Sequence, residues 1–109
     1  MSLDYRILSE ALEELHDAAS YIEAEREGFG LKLLNEHEAT VDFALQQPTA
    51  GTPVELPVVY ETRRFQMKRF PYSLFTAHVG DELVVFAVSH HKRAPTYWAR
   101  RLLELDHNG

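Results

Sequence analysis

The stretch Tyr72-Ser73-Leu74-Phe75-Thr76-Ala77-His78-Val79-Gly80-Asp81-Glu82-Leu83-Val84-Val85-Phe86-Ala87-Val88-Ser89 decides the fold. Gly80-Asp81 is a two-residue hairpin signal between two strand-like runs, Tyr72 to Val79 and Leu83 to Ser89. From Val84 to Val88 no polar residue interrupts the run. Half-buried strands alternate, so a strand without alternation is expected at the centre of a sheet, covered on both faces.

The same period of two extends upstream. Phe65 and Met67 alternate with Arg64, Gln66 and Lys68, which predicts another strand with Arg64 and Lys68 on one face. Pro71 breaks or bends this run before Tyr72. Pro48, Gly51, Pro53 and Pro57 mark residues 48–57 as a loop. It is not a domain linker, because neither half of a 109-residue chain would bury a core alone. Residues 1–109 are read as a single domain.

Upstream of the loop the period is helical. Leu3 to Leu8 predicts a short strand that joins as an outer strand. Ser9 is the expected N-cap of a helix over Glu10 to Glu27, with Leu12, Leu15, Ala19 and Ile22 as its apolar stripe and Ala11 and Ala18 beside it. Gly28 stops it. A second helix is expected from Leu31 to Gln47, with Leu31, Leu34, Val41 and Leu45 facing inward. Gly28-Phe29-Gly30 then links an antiparallel helical hairpin. Downstream, Pro95 opens an amphipathic helix from Thr96 to about Leu105. The expected order is β-α-α-β-β-β-α, an α+β fold whose N-terminal helical hairpin packs on a small antiparallel sheet.

The chain has no cysteine, which excludes disulfides, thiolate metal sites and thiol nucleophiles and fits a reducing cytoplasm. No signal peptide or membrane-length apolar run is present, so no membrane partner is expected. The formal net charge is −6, unevenly spread. Residues 1–50 hold eleven acids and three bases, whereas eight bases fall between Thr62 and Arg101, opposed there only by Asp81 and Glu82. An acidic chain so arranged can still present a basic face to a phosphate ligand.

No P-loop, G-x-G-x-x-G, H-E-x-x-H or G-x-S-x-G pattern occurs. No metal or other cofactor is expected. His90-His91 on a strand would point to opposite faces, and His16 and His37 are placed on acid-rich helix surfaces. Two segments hold the candidate site, Arg63 to Tyr72 and His90 to Arg101. They gather guanidinium, ammonium, imidazole and phenol groups at one end of the sheet. Metal-free RNA cleavage needs such groups: a base for the ribose 2′-OH, cations for the phosphate, and an acid for the leaving oxygen. Arg69, His90, His91, Arg93 and Tyr97 are the catalytic candidates. Arg64, Lys68, Lys92, Trp98 and Arg101 are the candidates for binding RNA or another target. The alternative is structural: Tyr97 and Trp98 dock the last helix, and Arg64 and Lys68 pair with helix carboxylates.

Several spaced patterns occur in order along nearly the whole chain. They are Ala11-x-x-Glu14-Leu15-x-x-Ala18-x-x-Tyr21-Ile22-Glu23, then Gly28-x-Gly30, then Arg69-Phe70-Pro71-Tyr72, then Val88-x-His90-x-x-Arg93-x-Pro95-x-Tyr97-Trp98-x-x-Arg101. In these the chain resembles the RelE/ParE superfamily of type II toxin–antitoxin toxins, which includes plasmid stabilisation proteins. The resemblance implies a growth-inhibiting toxin neutralised by a cognate antitoxin. It implies one of two targets: mRNA on the ribosome, cut by a metal-independent endoribonuclease, or DNA gyrase, bound without catalysis. A non-toxic binding module that keeps the fold is the third reading. In the nuclease branch, the matching positions are Arg69, then His91 or Arg93, then Tyr97, with His90 added. Lys32 is the only lysine or arginine between Glu27 and Thr62, unlike the lysine-dense nuclease members. The long hairpin resembles the gyrase branch.

Overall fold

The computed structural model describes residues 3–90 and 98–108. In chain order the elements are β1 (Asp4–Ile7), α1 (Ser9–Glu25), α2 (Phe29–Gln46), β2 (Thr52–Pro53), β3 (Glu61–Gln66), β4 (Tyr72–Val79), β5 (Glu82–His90) and α3 (Ala99–Asn108). The α+β class and the helical hairpin are as expected. The loop contributes one extra strand, the two-residue β2.

The sheet order is β1-β5-β4-β3-β2. Strands β2 to β5 pair antiparallel, but β1 runs parallel to β5, so the sheet is mixed. An all-antiparallel sheet was expected because consecutive strands favour hairpins. Strand β1 is not consecutive with its partner. The helical hairpin separates it from the rest, and it returns to an outer position beside the last strand. The β4–β5 turn is the predicted one: Val79 pairs with Glu82, and Gly80 adopts φ 59°.

Strand β5 lacks alternation because both faces are covered. On one face Leu83, Val85 and Val88 pack with Leu74, Phe65 and Met67 under α1 and α2. On the other, Phe86 and Ala87 join Phe75, Ala77, Trp98 and Leu102, with Val54, Leu56 and Val58 at the margin. The phase slips between Val85 and Ala87. Thr76 pairs with Val85 and Phe75 with Ala87, which leaves Phe86 as a bulge residue.

The helical stripes are rotated from the sequence expectation. On α1 the buried residues are Ala11, Leu15, Ala18 and Ala19, while Leu12 is 39% exposed. On α2 they are Gly30, Leu33, His37, Val41 and Ala44, while Leu31 is 64% exposed. At Gly30 only a residue without a side chain fits, because the helices approach closely there. A Cβ on Gly30 would lie 2.8 Å from the Ala19 carbonyl oxygen. Helix boundaries also move. Ser9 is already helical, Leu8 is the N-cap, and no side-chain capping bond forms there. Instead, the Leu8 N–H donates to the Val85 carbonyl, so β1 passes straight into α1. Phe29 and Gly30 lie in the first turn of α2, so the link between the helices is shorter than Gly28-Phe29-Gly30.

Strand β1 ends at Ile7, opposite Val85, and leaves the rest of β5 without a neighbour on that side. Two side chains fill the place. Glu14 of α1 accepts the Val88 N–H at 3.1 Å. Arg101 of α3 donates to the Phe86 carbonyl at 2.9 Å and forks onto Glu14 at 3.0 and 3.1 Å. One ion pair thus ties the helices of opposite faces together across the sheet edge. Removing one partner strands the other with two partly buried backbone groups. We expect Arg101→Ala to lower stability by about 1–3 kcal/mol in denaturant unfolding. Arg101→Lys should recover less than half, because an ammonium lacks the fork.

His37 is a correction to its expected surface position. It is buried among the core residues of α2, and its Nε2 has no hydrogen-bond partner among the described residues. Burial lowers its pKa to about 4. The neutral form is therefore favoured in the fold. The stability this provides is complete above the ordinary value near 6.5 and is lost as pH falls from there towards 4. The loss should reach about 3 kcal/mol at most. Unfolding midpoints measured at several pH values should fall more steeply between 6.5 and 4 for the wild type than for His37→Leu.

Candidate functional site

The turn joining β3 to β4 carries the sequence Met67-Lys68-Arg69-Phe70-Pro71. Two bonds hold it. The Met67 N–H donates to the Tyr72 carbonyl at 2.9 Å, and the Arg69 N–H donates to the Glu36 carboxylate of α2 at 2.6 Å. The turn is pinned by backbone, which leaves the Lys68 and Arg69 side chains exposed at its rim.

A groove lies on each side of this turn. The first, about 580 Å³, runs between α2 and the turn, with Lys32, Asn35, Glu36, Phe43, Lys68 and Arg69 among its lining. The second, about 590 Å³, is lined by the end of α1, the start of α2 and the ends of β4 and β5. Tyr21, Glu25, Arg26, Phe29, Phe70, Tyr72 and His90 face it.

The α1–α2 junction fixes two more cations. Gly28 sits at φ 87°, which a side chain would strain. Glu23 accepts the N–H groups of Gly28, at 3.1 and 2.9 Å, and of Gly30, at 2.9 Å. These bonds hold its carboxyl below the usual carboxylate range. The tight junction brings Arg26 and Lys32 over the Phe29 ring, at 4.1 and 4.2 Å from its centroid. Nearby, His90 meets Tyr72 edge to face at 5.1 Å between centroids. Burial, and then the neighbouring Tyr21, raise the Tyr72 phenol above its ordinary value.

The expected site residues fare unequally. Arg69 and Lys68 line the first groove and His90 the second, so Arg69 and His90 do not share one pocket. Arg64 and Lys68 do not share a strand face, because β3 ends at Gln66. Arg64 pairs opposite Phe75, on the α3 side of the sheet, and its guanidinium meets Gln66 at 3.3 Å. Trp98 is 2% exposed and packs 4.8 Å from Phe75 between centroids, so it cannot stack on a base. The docking alternative is the correct one for this residue. Arg101 is taken up by Glu14 and the β5 edge, so it is a clamp rather than a target-binding group. His91, Lys92, Arg93 and Tyr97 lie outside the described residues.

The sequence reading missed Arg26, Phe29, Lys32 and Glu36. The spacing Arg26-x-x-Phe29-x-x-Lys32 is a usable signal, but it straddles Gly28 and acquires meaning only once the helices are joined by so short a link. Among the described residues, no group of three or more histidines and carboxylates could hold a metal. Exposed cations rim two partly apolar grooves. Glu36→Ala should release the turn at a cost of about 1 kcal/mol. Hydrogen exchange should show faster exchange of the Arg69 amide with little change in β5.

The family model described as "ParE toxin of type II toxin-antitoxin system, parDE" matches residues 5–95. Among solved structures, one described as "Chromosomal ParDE TA system from P. aeruginosa" superposes with a TM-score of 0.68 at 21% identity. The match covers 83% of this chain and 97% of that one. No curated protein matches.

Proposed function

The chain belongs to the ParE toxin family of type II toxin–antitoxin systems, and from that premise we propose that it acts by binding DNA gyrase without catalysis of its own. The observation that carries this reading is the extent of the family match. It spans residues 5–95, through the helical hairpin and all of the sheet but the first residue of β1. A cognate antitoxin holds the toxin in check, and both meet their target in the cytoplasm. Among the described residues, no helix is long and apolar enough to cross a membrane.

The alternative is metal-independent cleavage of mRNA. Arg69 and His90, the two catalytic candidates among the described residues, line different grooves, which weighs against it. The lysine-poor stretch from Glu27 to Thr62 weighs the same way.

Purified toxin added to gyrase should inhibit supercoiling of relaxed plasmid, and the cognate antitoxin should restore it. Expression in cells should induce the DNA-damage response while transcripts stay intact. Rapid transcript cleavage with unaffected gyrase would instead establish the nuclease reading.

A further inference from the structure

Nine of the eleven lysines and arginines lie in described residues. They divide by place, Arg64 and Arg100 lying apart on the α3 side of the sheet. Arg6 pairs with Glu82, Arg63 with Glu61, and Arg101 with Glu14. These pairs belong to the β1–β5 edge of the sheet and to β3, where charge is consumed by the fold. Arg26, Lys32, Lys68 and Arg69 behave differently. All four are exposed, all line the two grooves beside the β3–β4 turn, and none forms an ion pair with a carboxylate among the described residues. Their supports are rigid: Phe29 under Arg26 and Lys32, and the Glu36 bond under the turn.

We propose that this end of the molecule is a binding surface for the phosphate backbone of duplex DNA, with Arg26, Lys32, Lys68 and Arg69 as the contacts. Glu25 and Glu36 also line the grooves, and Glu36 is already engaged by the Arg69 amide. The α2 N-terminus adds little, because Glu23 occupies its Gly28 and Gly30 amides. The anion must therefore be held by the four side chains. Net charge does not oppose this. The molecule measures 40 × 30 × 23 Å, while screening at about 0.1 M salt acts within about 10 Å. Acids on the remote faces are then largely hidden from a ligand at this end. The four side chains are assigned to phosphates, which carry no sequence information, so the contact is expected to ignore sequence. The inference rests on the gyrase reading for its setting: a toxin that grips DNA at one end is placed to engage gyrase while DNA is bound to it.

The test is fluorescence anisotropy of the full chain with a labelled 20-base-pair duplex across a series of sodium chloride concentrations. Wild type should bind at low salt, with log K falling against log salt at a slope of about −3 to −4, as for three or four phosphate contacts. Lys68→Ala with Arg69→Ala should weaken binding at least tenfold and make the slope shallower by about 2. Arg26→Ala should reduce it by about 1. Arg100→Ala, an exposed cation on α3, should change neither. Equal thermal midpoints for these variants confirm that the fold is intact. Absence of duplex binding at low salt overturns the proposal, as does an Arg100→Ala loss equal to that of the turn variant. Binding of a polyglutamate peptide without duplex binding overturns it in favour of an acidic protein partner. The same samples distinguish this proposal from its premise. Gyrase inhibition without duplex binding removes the surface and keeps the gyrase reading, whereas duplex binding without gyrase inhibition does the reverse.

Discussion

Strand β5 is longer than the strand that covers its outer edge, and the structure depends on how that mismatch is closed. Beyond Val85 the backbone of β5 meets no neighbouring strand on the β1 side among the described residues, and at the bulge the Phe86 carbonyl faces that side. An open edge of this kind invites pairing with another chain. Here Glu14 and Arg101 occupy it, one from each layer. Their mutual ion pair is 14% and 29% exposed, sheltered enough to retain value and open enough to limit the cost of desolvation. The pair makes the two layers one body: α1 is held to β5, and α3 is held to both.

The bulge also explains how one strand serves two cores. Without the slip at Phe86, Val88 would leave the face it shares with Leu83 and Val85. With it, Val88 stays under the helical hairpin, and Phe86 and Ala87 both turn towards Trp98. The pinned β3–β4 turn and the tight α1–α2 junction are then presented by a rigid frame. Rigidity matters for binding, since cations held in place lose less freedom when they meet a ligand.

Much of this was legible in the sequence. The unbroken run Val84 to Val88 announced a doubly covered strand, Gly80-Asp81 its turn, and Gly28 the break between helices. The parallel pairing of β1 was not legible, because nothing local to Asp4–Ile7 specifies a partner some eighty positions away. The helical stripes misled for a related reason. Leu12 and Leu31 look like core residues by hydrophobicity, but Ala11, Leu33 and Gly30 take the inner face, and at Gly30 the backbones approach too closely for a larger group. At the site, Lys68 and Arg69 were visible as a basic tract. Trp98 and Arg101 looked equally functional, because a sequence does not show that a bulge would expose a carbonyl in need of a donor. Arg26 and Lys32 were counted among the few bases of an acidic half but not placed in the site, because nothing in the sequence joins them to the β3–β4 turn.

The Glu14–Arg101 clamp has a consequence for the timing of the protein's own production. Its two members are separated by 87 positions. A nascent chain can wind α1 and α2 as soon as they emerge, since their contacts are local, but β1 must wait for β5 and the clamp must wait for α3. Until synthesis has passed Arg101, the growing chain carries an unclosed sheet edge. Closure therefore belongs to the last stage of synthesis, and a premature stop before α3 yields a chain whose β5 edge has Glu14 on the Val88 amide but no Arg101 for the Phe86 carbonyl.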